Sequence, residues 1–318
     1  MKLTCPSCGE SHDQPLFEAS DELYRTTQDR FTVVRCVHCG LMRLTPPIPD
    51  DRLPLYYPAS YWFVPDAFSR LEETYRRLVL RDHIGFVLSA YRRAGADGLL
   101  LDVGCGGGLL LCMLAKRGVR GVGMDISAQA AASAHKVNRV AALCGTLQHT
   151  PLRAGSCSVV TMFHVVEHLN NPVAHLMAAR RLLRSGGRVV VQVPNVDSWQ
   201  FRLFGKRWNG LDVPRHLVNY RTRDLVQLLR RCGFRVERIR HFNLRDNPAG
   251  FATSLAPKLD PMARRLRAVR ETRWVRVVKS MAYLALTVAA VPFAIAEAAF
   301  GKGSSVMVEA VSDETSVT

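Results

Sequence analysis

Acidic side chains are scarce in this 318-residue chain: 27 Asp and Glu stand against 43 Lys and Arg, which leaves a net charge of +16. Such a charge favours anionic partners, namely nucleic acid, an acidic membrane surface or phosphorylated substrates. An apolar segment typical of a secretory signal is also lacking near the N-terminus, so we expect a cytoplasmic protein in a reducing environment. Hydrophobic residues make up 48% of the chain, which excludes a disordered protein.

Cysteine occurs in an odd number, nine, and four of the nine form two C-x-x-C pairs. The pairs are Cys5 with Cys8 and Cys36 with Cys39, and a glycine follows each second cysteine, where a tight turn lets backbone N–H groups point at thiolate sulfur. Four thiolates in two such turns can close a tetrahedral zinc site. We therefore predict a structural zinc ribbon over residues 1–45, and a redox pair is the alternative.

A glycine-rich turn lies between two apolar runs that each end in an acid. Residues 99–101 are leucines followed by Asp102, glycines stand at 104, 106 and 108, and the run 119–124 ends in Asp125. This pattern is typical of a buried parallel strand, a turn free of side chains, and a helix whose free N–H groups face a ligand. An acid at the tip of the second strand can accept hydrogen bonds from both hydroxyls of a ribose. The spacing alone leaves an NAD site or a purely structural turn open.

The G-x-G-x-G spacing after a strand-ending acid resembles motif I of the class I S-adenosylmethionine (SAM) methyltransferases. The resemblance implies a set of cofactor-binding residues: Asp102, Gly104, Gly106 and Gly108 in the turn at the methionine end, Asp125 at the ribose, and Thr146 and Leu147 beside the adenine. Family members often have an acid at the position of Thr146 to accept the adenine amine. Its absence here weakens that one contact.

Strand and helix patterns alternate through the middle of the chain. Strands are predicted near 98–103, 119–124, 140–144, 158–163, 187–193, 234–243 and 304–311, and a helix over 67–94 precedes the first of them. The resemblance implies an α/β fold: a doubly wound, seven-stranded methyltransferase sheet with five parallel strands and a terminal antiparallel pair. The predicted divisions are a zinc ribbon at 1–45, a proline-rich and aromatic linker at 46–66, a SAM-binding core at 67–243, a helical insertion at 244–302, and the last strand and tail at 303–318.

Three candidate ligands follow the fourth predicted strand: His164, Glu167 and His168. The spacing i, i+3, i+4 puts all three on one face if the segment is helical. The segment resembles the corresponding motif of ubiquinone-biosynthesis O-methyltransferases, where Glu-x-x-Glu-His holds a divalent metal, with His164 in place of the first Glu. A second divalent metal at His164, Glu167 and His168 is one interpretation, with His216 as a fourth ligand. In the other, Glu167 and His168 bond to backbone and neighbouring loops and His164 lies near the SAM amino group.

The loop 195–221 is rich in aromatic and charged residues and joins the fifth strand to the next helix, at the sheet edge where ligands bind. His216 in this loop is our candidate general base, because an imidazole can take a proton from a hydroxyl at neutral pH. Together, His216, His168 and Glu167 form the predicted catalytic set. No Asn/Asp-Pro-Pro-Tyr tetrad follows the fourth strand, which argues against methylation of a base amine.

The insertion combines a basic stretch at 264–279 with an uncharged apolar run at 281–296. A single membrane span would leave the last strand on the wrong side of the bilayer, since the last two strands should pair as neighbours. We expect instead a helical hairpin, lying in the interface of the inner face of the membrane, packed as a lid, or forming a dimer surface.

These features together predict a SAM-dependent methyltransferase with a structural zinc ion. The expected acceptor is a small, lipid-linked or nucleotide-linked molecule methylated on a hydroxyl, and carbon methylation of a sugar is an alternative. RNA methylation by an enzyme with a zinc ribbon is a second alternative, although acids outnumber bases in residues 1–30 and nucleic acid is disfavoured. A non-catalytic scaffold is the third.

Overall fold

The computed structural model describes residues 4–58 and 70–312, which form two sheets. The small N-terminal sheet is antiparallel and contains β1 (Asp13–Ala19), β2 (Phe31–Cys36) and β3 (Met42–Thr45). A fourth strand, β9 (Val218–Asn219), pairs with the other edge of β3, although it comes from the second half of the chain. The predicted ribbon is therefore completed by a segment from outside residues 1–45.

The large sheet contains seven strands: β4 (Leu99–Val103), β5 (Gly121–Asp125), β6 (Ala142–Cys144), β7 (Cys157–Phe163), β8 (Leu183–Pro194), β10 (Phe234–Arg240) and β11 (Ser305–Ser312). Their order across the sheet is β10-β11-β8-β7-β4-β5-β6. The strands β4 to β8 are parallel, and β11 lies antiparallel between β8 and β10. This confirms the predicted doubly wound α/β sheet with its terminal antiparallel pair.

Helices cover both faces of the large sheet, because the parallel strands need crossover connections. The helices α2 (Arg81–Arg93) and α3 (Leu109–Ala115) pack in one apolar cluster, and α5 (Pro172–Leu182) and α7 (Thr222–Arg231) in another. The neighbouring residues Leu100 and Leu101 of β4 belong to different clusters, since successive side chains of a strand point to opposite faces. The cluster of Leu101 also contains Phe31 and Leu44 of the ribbon, so the ribbon and the core share one continuous interior.

The helix expected over 67–94 is in fact two helices, α1 (Arg70–Val79) and α2, which are separated at Leu80. Another helix, α4 (Ala128–Asn138), packs against β5 and β6. Residues 59–69 lie outside the described residues, and with them the C-terminal part of the predicted linker 46–66, including Tyr61, Trp62 and Phe63.

The insertion between β10 and β11 holds four helices: α8 (Asn247–Leu255), α9 (Pro261–Leu266), α10 (Arg273–Ala289) and α11 (Val291–Ala299). Its two ends meet as predicted, with the backbone of Gly303 against the carbonyl oxygen of His241.

The expected hairpin is absent from these four helices, because α10 and α11 continue in one direction. Ala290 keeps right-handed helical angles, and the N–H groups of Ala290 and Ala294 each donate to the carbonyl oxygen four residues earlier. Pro292 stands in the first turn of α11, where a proline is tolerated. The apolar run therefore forms one continuous helix, Arg273–Ala299.

Candidate functional site

The cysteines of the two C-x-x-C pairs meet at one end of the ribbon sheet. Cys5 Sγ lies 3.6 Å from Cys39 Sγ, Cys8 Sγ lies 3.5 Å from Cys36 Sγ, and the four sulfurs all lie within 4.8 Å of one another. A tetrahedral zinc ion with Zn–S bonds of about 2.3 Å needs sulfurs about 3.8 Å apart. The spacing therefore suits a zinc ion, and it is too long for disulfide bonds.

Each C-x-x-C pair ends in the expected tight turn, and the backbone N–H groups that reach the Cys36 sulfur are those of His38 and Cys39. Gly9 and Gly40 take φ angles of +82° and +75°, and their N–H groups donate to the carbonyl oxygens of Cys5 and Cys36 at 2.8 Å. Although burial raises the pKa of the Cys36 thiol, backbone N–H groups of the same turn and the Cys8 thiol lower it to about 7. A thiol with a lowered pKa is readily deprotonated for metal binding.

A buried arginine joins the ribbon to the core. The guanidinium of Arg215 makes two hydrogen bonds of 3.0 Å to the carboxylate of Asp21 in the ribbon and one of 2.7 Å to Asp212. It also donates to the carbonyl oxygen of Tyr56, and the Arg215 side chain is 0% exposed. The backbone carbonyl of Arg215 accepts a hydrogen bond from His168 Nδ1 at 2.9 Å. One residue therefore contacts both the ribbon and the candidate catalytic set.

The glycine turn after β4 is built as its spacing predicts. Gly104, Gly106 and Gly108 take φ angles of +73°, +51° and +73°, a region that L side chains rarely adopt. A Cβ atom added to Gly104 would lie 2.6 Å from Val165 Cγ2, whereas one added to Gly106 would meet nothing within 4 Å. The turn therefore presents bare backbone to open space at Gly106, where a cofactor can approach closely.

The two acids that end β4 and β5 are buried beside this turn. Asp125 accepts the N–H groups of Gly106 and Ser127, both at 2.9 Å, and Asp102 accepts the hydroxyl of Thr161 at 2.6 Å. Burial raises the pKa of Asp102 to about 7, and burial also raises the pKa of Asp125. A cationic group such as the ammonium of SAM would favour the ionised form of either carboxyl.

The predicted adenine contacts lie next to this turn. The N–H of Gly145 donates to the carbonyl oxygen of Asp125 at 2.9 Å, which places the start of the following 3-10 turn, Leu147–His149, at the same edge of the sheet. Thr146 precedes that turn, and Leu147 is fully buried. The geometry is compatible with the predicted cofactor residues, and their individual roles stay predictions.

His164 does not join a metal site with Glu167 and His168, which corrects one of our predictions. Its backbone has a φ of +54° and the following residues form a 3-10 turn, so the i, i+3, i+4 spacing does not act on one helix face. Both ring nitrogens are engaged: Nδ1 lies 3.1 Å from Glu167 Oε1, and Nε2 lies 3.2 Å from Asp246 Oδ2. Burial lowers the pKa of His164, but Asp246 and Glu167 together raise it to about 9. Gln192 Nε2 also lies 3.0 Å from His164 Nε2, so this ring faces Asp246 and Gln192 and stands apart from the group of Glu167, His168 and His216.

The group that can hold a metal is Glu167, His168 and His216, whose ligand atoms lie within 4.8 Å of one another. His216 Nδ1 lies 2.8 Å from the carbonyl oxygen of Gly210, and His168 Nδ1 lies 2.9 Å from that of Arg215. A carbonyl can only accept, so Nδ1 of each ring carries the proton and each Nε2 keeps its lone pair. Glu167 Oε2 is buried, and it has no hydrogen-bond partner among the residues that the structure describes. Two imidazole nitrogens and an unpartnered carboxylate oxygen suit zinc, iron or manganese.

Sequence reasoning missed the polar residues that surround His164. Asp246, at the start of α8, accepts a hydrogen bond of 2.5 Å from Gln192 Nε2, and Gln192 Oε1 lies 2.8 Å from Nε2 of the buried His83. These residues come from three separate elements and share no local motif. The only indication of them in the sequence is that Gln192, a polar residue, stands within the apolar run that forms β8.

Comparison with known proteins points to one family. A sequence profile described as a methyltransferase domain matches residues 69–239, just over half of the chain. A probable S-adenosylmethionine-dependent methyltransferase of Mycolicibacterium smegmatis is 30% identical over 205 residues, which cover 59% of this chain and 70% of that protein. The ubiquinone biosynthesis O-methyltransferase of Sodalis glossinidius is 32% identical over 139 residues, covering 41% of this chain and 54% of that protein.

Solved structures agree with the fold. A putative sarcosine dimethylglycine methyltransferase from Galdieria sulphuraria superposes with a TM-score of 0.52, covering 80% of this chain and 92% of that one. The sequence identity is 13%, so this likeness shows the fold alone.

Proposed function

Because the chain belongs to the methyltransferase-domain family and is a class I SAM-dependent enzyme, we propose that it methylates a hydroxyl oxygen of a small or lipid-linked acceptor. The observation that carries this proposal is that Glu167, His168 and His216 lie close together. Glu167 and His168 belong to the segment that packs, through Val165, against the glycine turn. A hydroxyl must lose its proton to become a good nucleophile, and these side chains are suited to promote that loss. The O-methyltransferase named among the relatives supports an oxygen acceptor.

The bound SAM supplies an activated methyl group, so the protein itself has to align the acceptor and manage its proton. We propose that Asp102 and the glycine turn hold the methionine end, and that Asp125 accepts the ribose hydroxyls. Aligned groups of this kind account for much of the rate of a transfer whose donor is already reactive.

We also propose a divalent metal at Glu167, His168 and His216. Oε2 of Glu167 and Nε2 of the two histidines would be its ligands, and the metal would act as a Lewis acid that lowers the pKa of a hydroxyl bound to it. The unpartnered Glu167 oxygen supports this arrangement, since a buried carboxylate oxygen without a partner is costly. Without a metal, Nε2 of His216 would itself accept the proton.

The first test combines metal binding with turnover. Co²⁺ titration of the wild type is expected to show a site with nitrogen and oxygen ligands, and His216→Ala should weaken it by about tenfold to a hundredfold or more. Release of S-adenosylhomocysteine should appear with a hydroxyl-bearing acceptor from a panel of phenols, isoprenoid alcohols and nucleotide sugars. His216→Ala should lower that turnover by about a hundredfold.

The matched control is His135→Ala, which removes an exposed histidine on α4 and should change neither quantity. Turnover that survives chelation and still falls in His216→Ala would assign His216 as the base and remove the metal from the proposal. A methyl group recovered on carbon, on nitrogen or on RNA would overturn the hydroxyl acceptor.

We propose that Cys5, Cys8, Cys36 and Cys39 bind one structural zinc ion, as their sulfur spacing suggests. The purified protein is expected to retain one equivalent of zinc at this site, and Co²⁺ exchanged into it should show thiolate-to-cobalt charge-transfer absorption. Cys36→Ser should lose both signals, whereas Cys144→Ser, which changes an exposed free thiol, should keep them. Equal zinc content in the two variants would contradict the assignment.

A further inference from the structure

The helix Arg273–Ala299 carries a long apolar face that no described residue covers. Eight apolar side chains on this helix and the residue after it are 40–74% exposed: Trp274, Val277, Val278, Met281, Leu284, Val288, Ile295 and Phe300. Their spacing keeps them on one side of a helix that turns once every 3.6 residues, so they form a single stripe along a helix about 40 Å long. A contiguous exposed stripe of this size marks an interaction surface.

The opposite face of the helix is fixed to the protein by polar contacts. The hydroxyl of Tyr283 lies 2.9 Å from Thr253 Oγ1 on α8, and Ser280 accepts a hydrogen bond of 2.8 Å from Arg264. Near the other end, Glu297 is 0% exposed and accepts a hydrogen bond of 2.7 Å from Gln200. Spanning a bilayer would break these contacts and expose the Glu297 carboxyl to lipid, so the helix is held on the surface of the protein.

Positive charge lies beside the apolar stripe. Arg270, Arg273 and Arg276 are exposed at the N-terminal end of the helix. Glu271, next to Arg270 in the chain, is paired with Arg264 and Lys279 at 2.9 and 2.6 Å, and no acid among the described residues forms an ion pair with these three arginines. An apolar stripe beside arginines suits the headgroup region of an anionic bilayer.

We propose that the helix Arg273–Ala299 docks the protein on the surface of an anionic phospholipid bilayer, lying in the plane of the interface. A second copy of the chain is the less favourable occupant, because dimerisation would bring together two molecules that each carry a net charge of +16. Lipid headgroups instead supply the missing negative charge. This docking holds for any acceptor, so it does not rest on the proposed hydroxyl chemistry.

Vesicle flotation tests the proposal on the full chain. The wild type is expected to float with vesicles of phosphatidylcholine and phosphatidylglycerol, and much less with phosphatidylcholine alone. The triple variant Val277→Ser, Met281→Ser, Val288→Ser should reduce the partition coefficient by about tenfold or more, because the buried apolar area is lost. A second triple variant, Arg270→Gln, Arg273→Gln, Arg276→Gln, should reduce it about tenfold on anionic vesicles only, and added salt should abolish that difference.

The matched control changes three exposed apolar residues elsewhere: Val137→Ser, Met177→Ser and Ile239→Ser, which are 41–47% exposed, against 47–62% for the residues of the first triple variant. It should float like the wild type, and SAM binding should be unchanged in all three variants, which shows that they are folded. Equal flotation of the first triple variant and the control would overturn the proposal. So would a wild-type dimer that the first triple variant converts to monomer while neither binds vesicles.

Discussion

Replacing Arg215 by methionine is expected to lower the free energy of unfolding by about 3–5 kcal/mol. The substitution keeps much of the side-chain volume but leaves the carboxylates of Asp21 and Asp212 buried without their cation. Burial raises the pKa of Asp21, but Arg215 overrides this and holds it at about 2 in the wild type. Urea unfolding monitored by fluorescence at neutral pH measures the loss.

The pH dependence distinguishes an unpaired charge from a packing defect. A carboxyl with a depressed pKa stabilises the fold above its ordinary pKa of 3.8, and that contribution is lost as the pH falls towards 2. In Arg215→Met the Asp21 carboxylate gains nothing from ionisation, so the difference from the wild type should shrink as the pH falls below about 4.

The control for this prediction is Arg202→Met, which breaks an ion pair with Asp197 on the surface, where the arginine side chain is 62% exposed. It should cost less than about 1 kcal/mol. An Arg215→Met loss that is equally small, or that stays constant with pH, would show that the buried ion pair does not stabilise the joint between ribbon and core.

Replacing Asp125 by alanine is expected to weaken binding of SAM and S-adenosylhomocysteine by about a hundredfold or more. The carboxylate is the proposed acceptor for two ribose hydroxyls, and each hydrogen bond to a charged group contributes about 1.5–3 kcal/mol. It also holds the N–H of Gly106, so the turn loses a support at the same time. Titration calorimetry on the zinc-loaded protein gives both dissociation constants.

The control here is Asp29→Ala, which removes an exposed acid of the ribbon and should leave both affinities unchanged. Thermal unfolding of the Asp125 variant verifies that the protein remains folded. Wild-type affinity in a folded Asp125→Ala protein would place the cofactor elsewhere on the sheet and refute the assigned site.

The parts of the fold that follow from local patterns were predictable, and the parts that depend on distant pairing were not. Leucines, an acid and glycines in direct succession predict a strand and turn, because each residue restricts its neighbours, and β4 with its turn matches. The hairpin expected in the insertion is wrong because Pro292 stands where a helix tolerates it, so the apolar run continues through the proline without reversing.

The candidate site shows the same division. The acids at the ends of β4 and β5 could be located from sequence, since parallel strands end at one edge of a sheet. His216 was predicted from sequence as a partner of Glu167 and His168, but the separation of His164 from this group was not. A positive φ at His164 turns that ring towards Asp246, and His216 comes close because β9 pairs with the ribbon. A two-residue strand has no sequence pattern that would reveal it.

The pairing of β9 with β3 also determines when the ribbon sheet can be completed during synthesis of the chain. Met42 leaves the ribosome early, whereas its partner Asn219 follows after most of the core has been synthesised. The edge of β3 that pairs with β9 therefore has no partner until that segment has been synthesised. Long-range pairing of this kind is slow. Exchanging the ribbon alone between related enzymes would therefore be costly. A core joined to a different ribbon would keep β9 without its strand partner and Arg215 without its carboxylate in the ribbon.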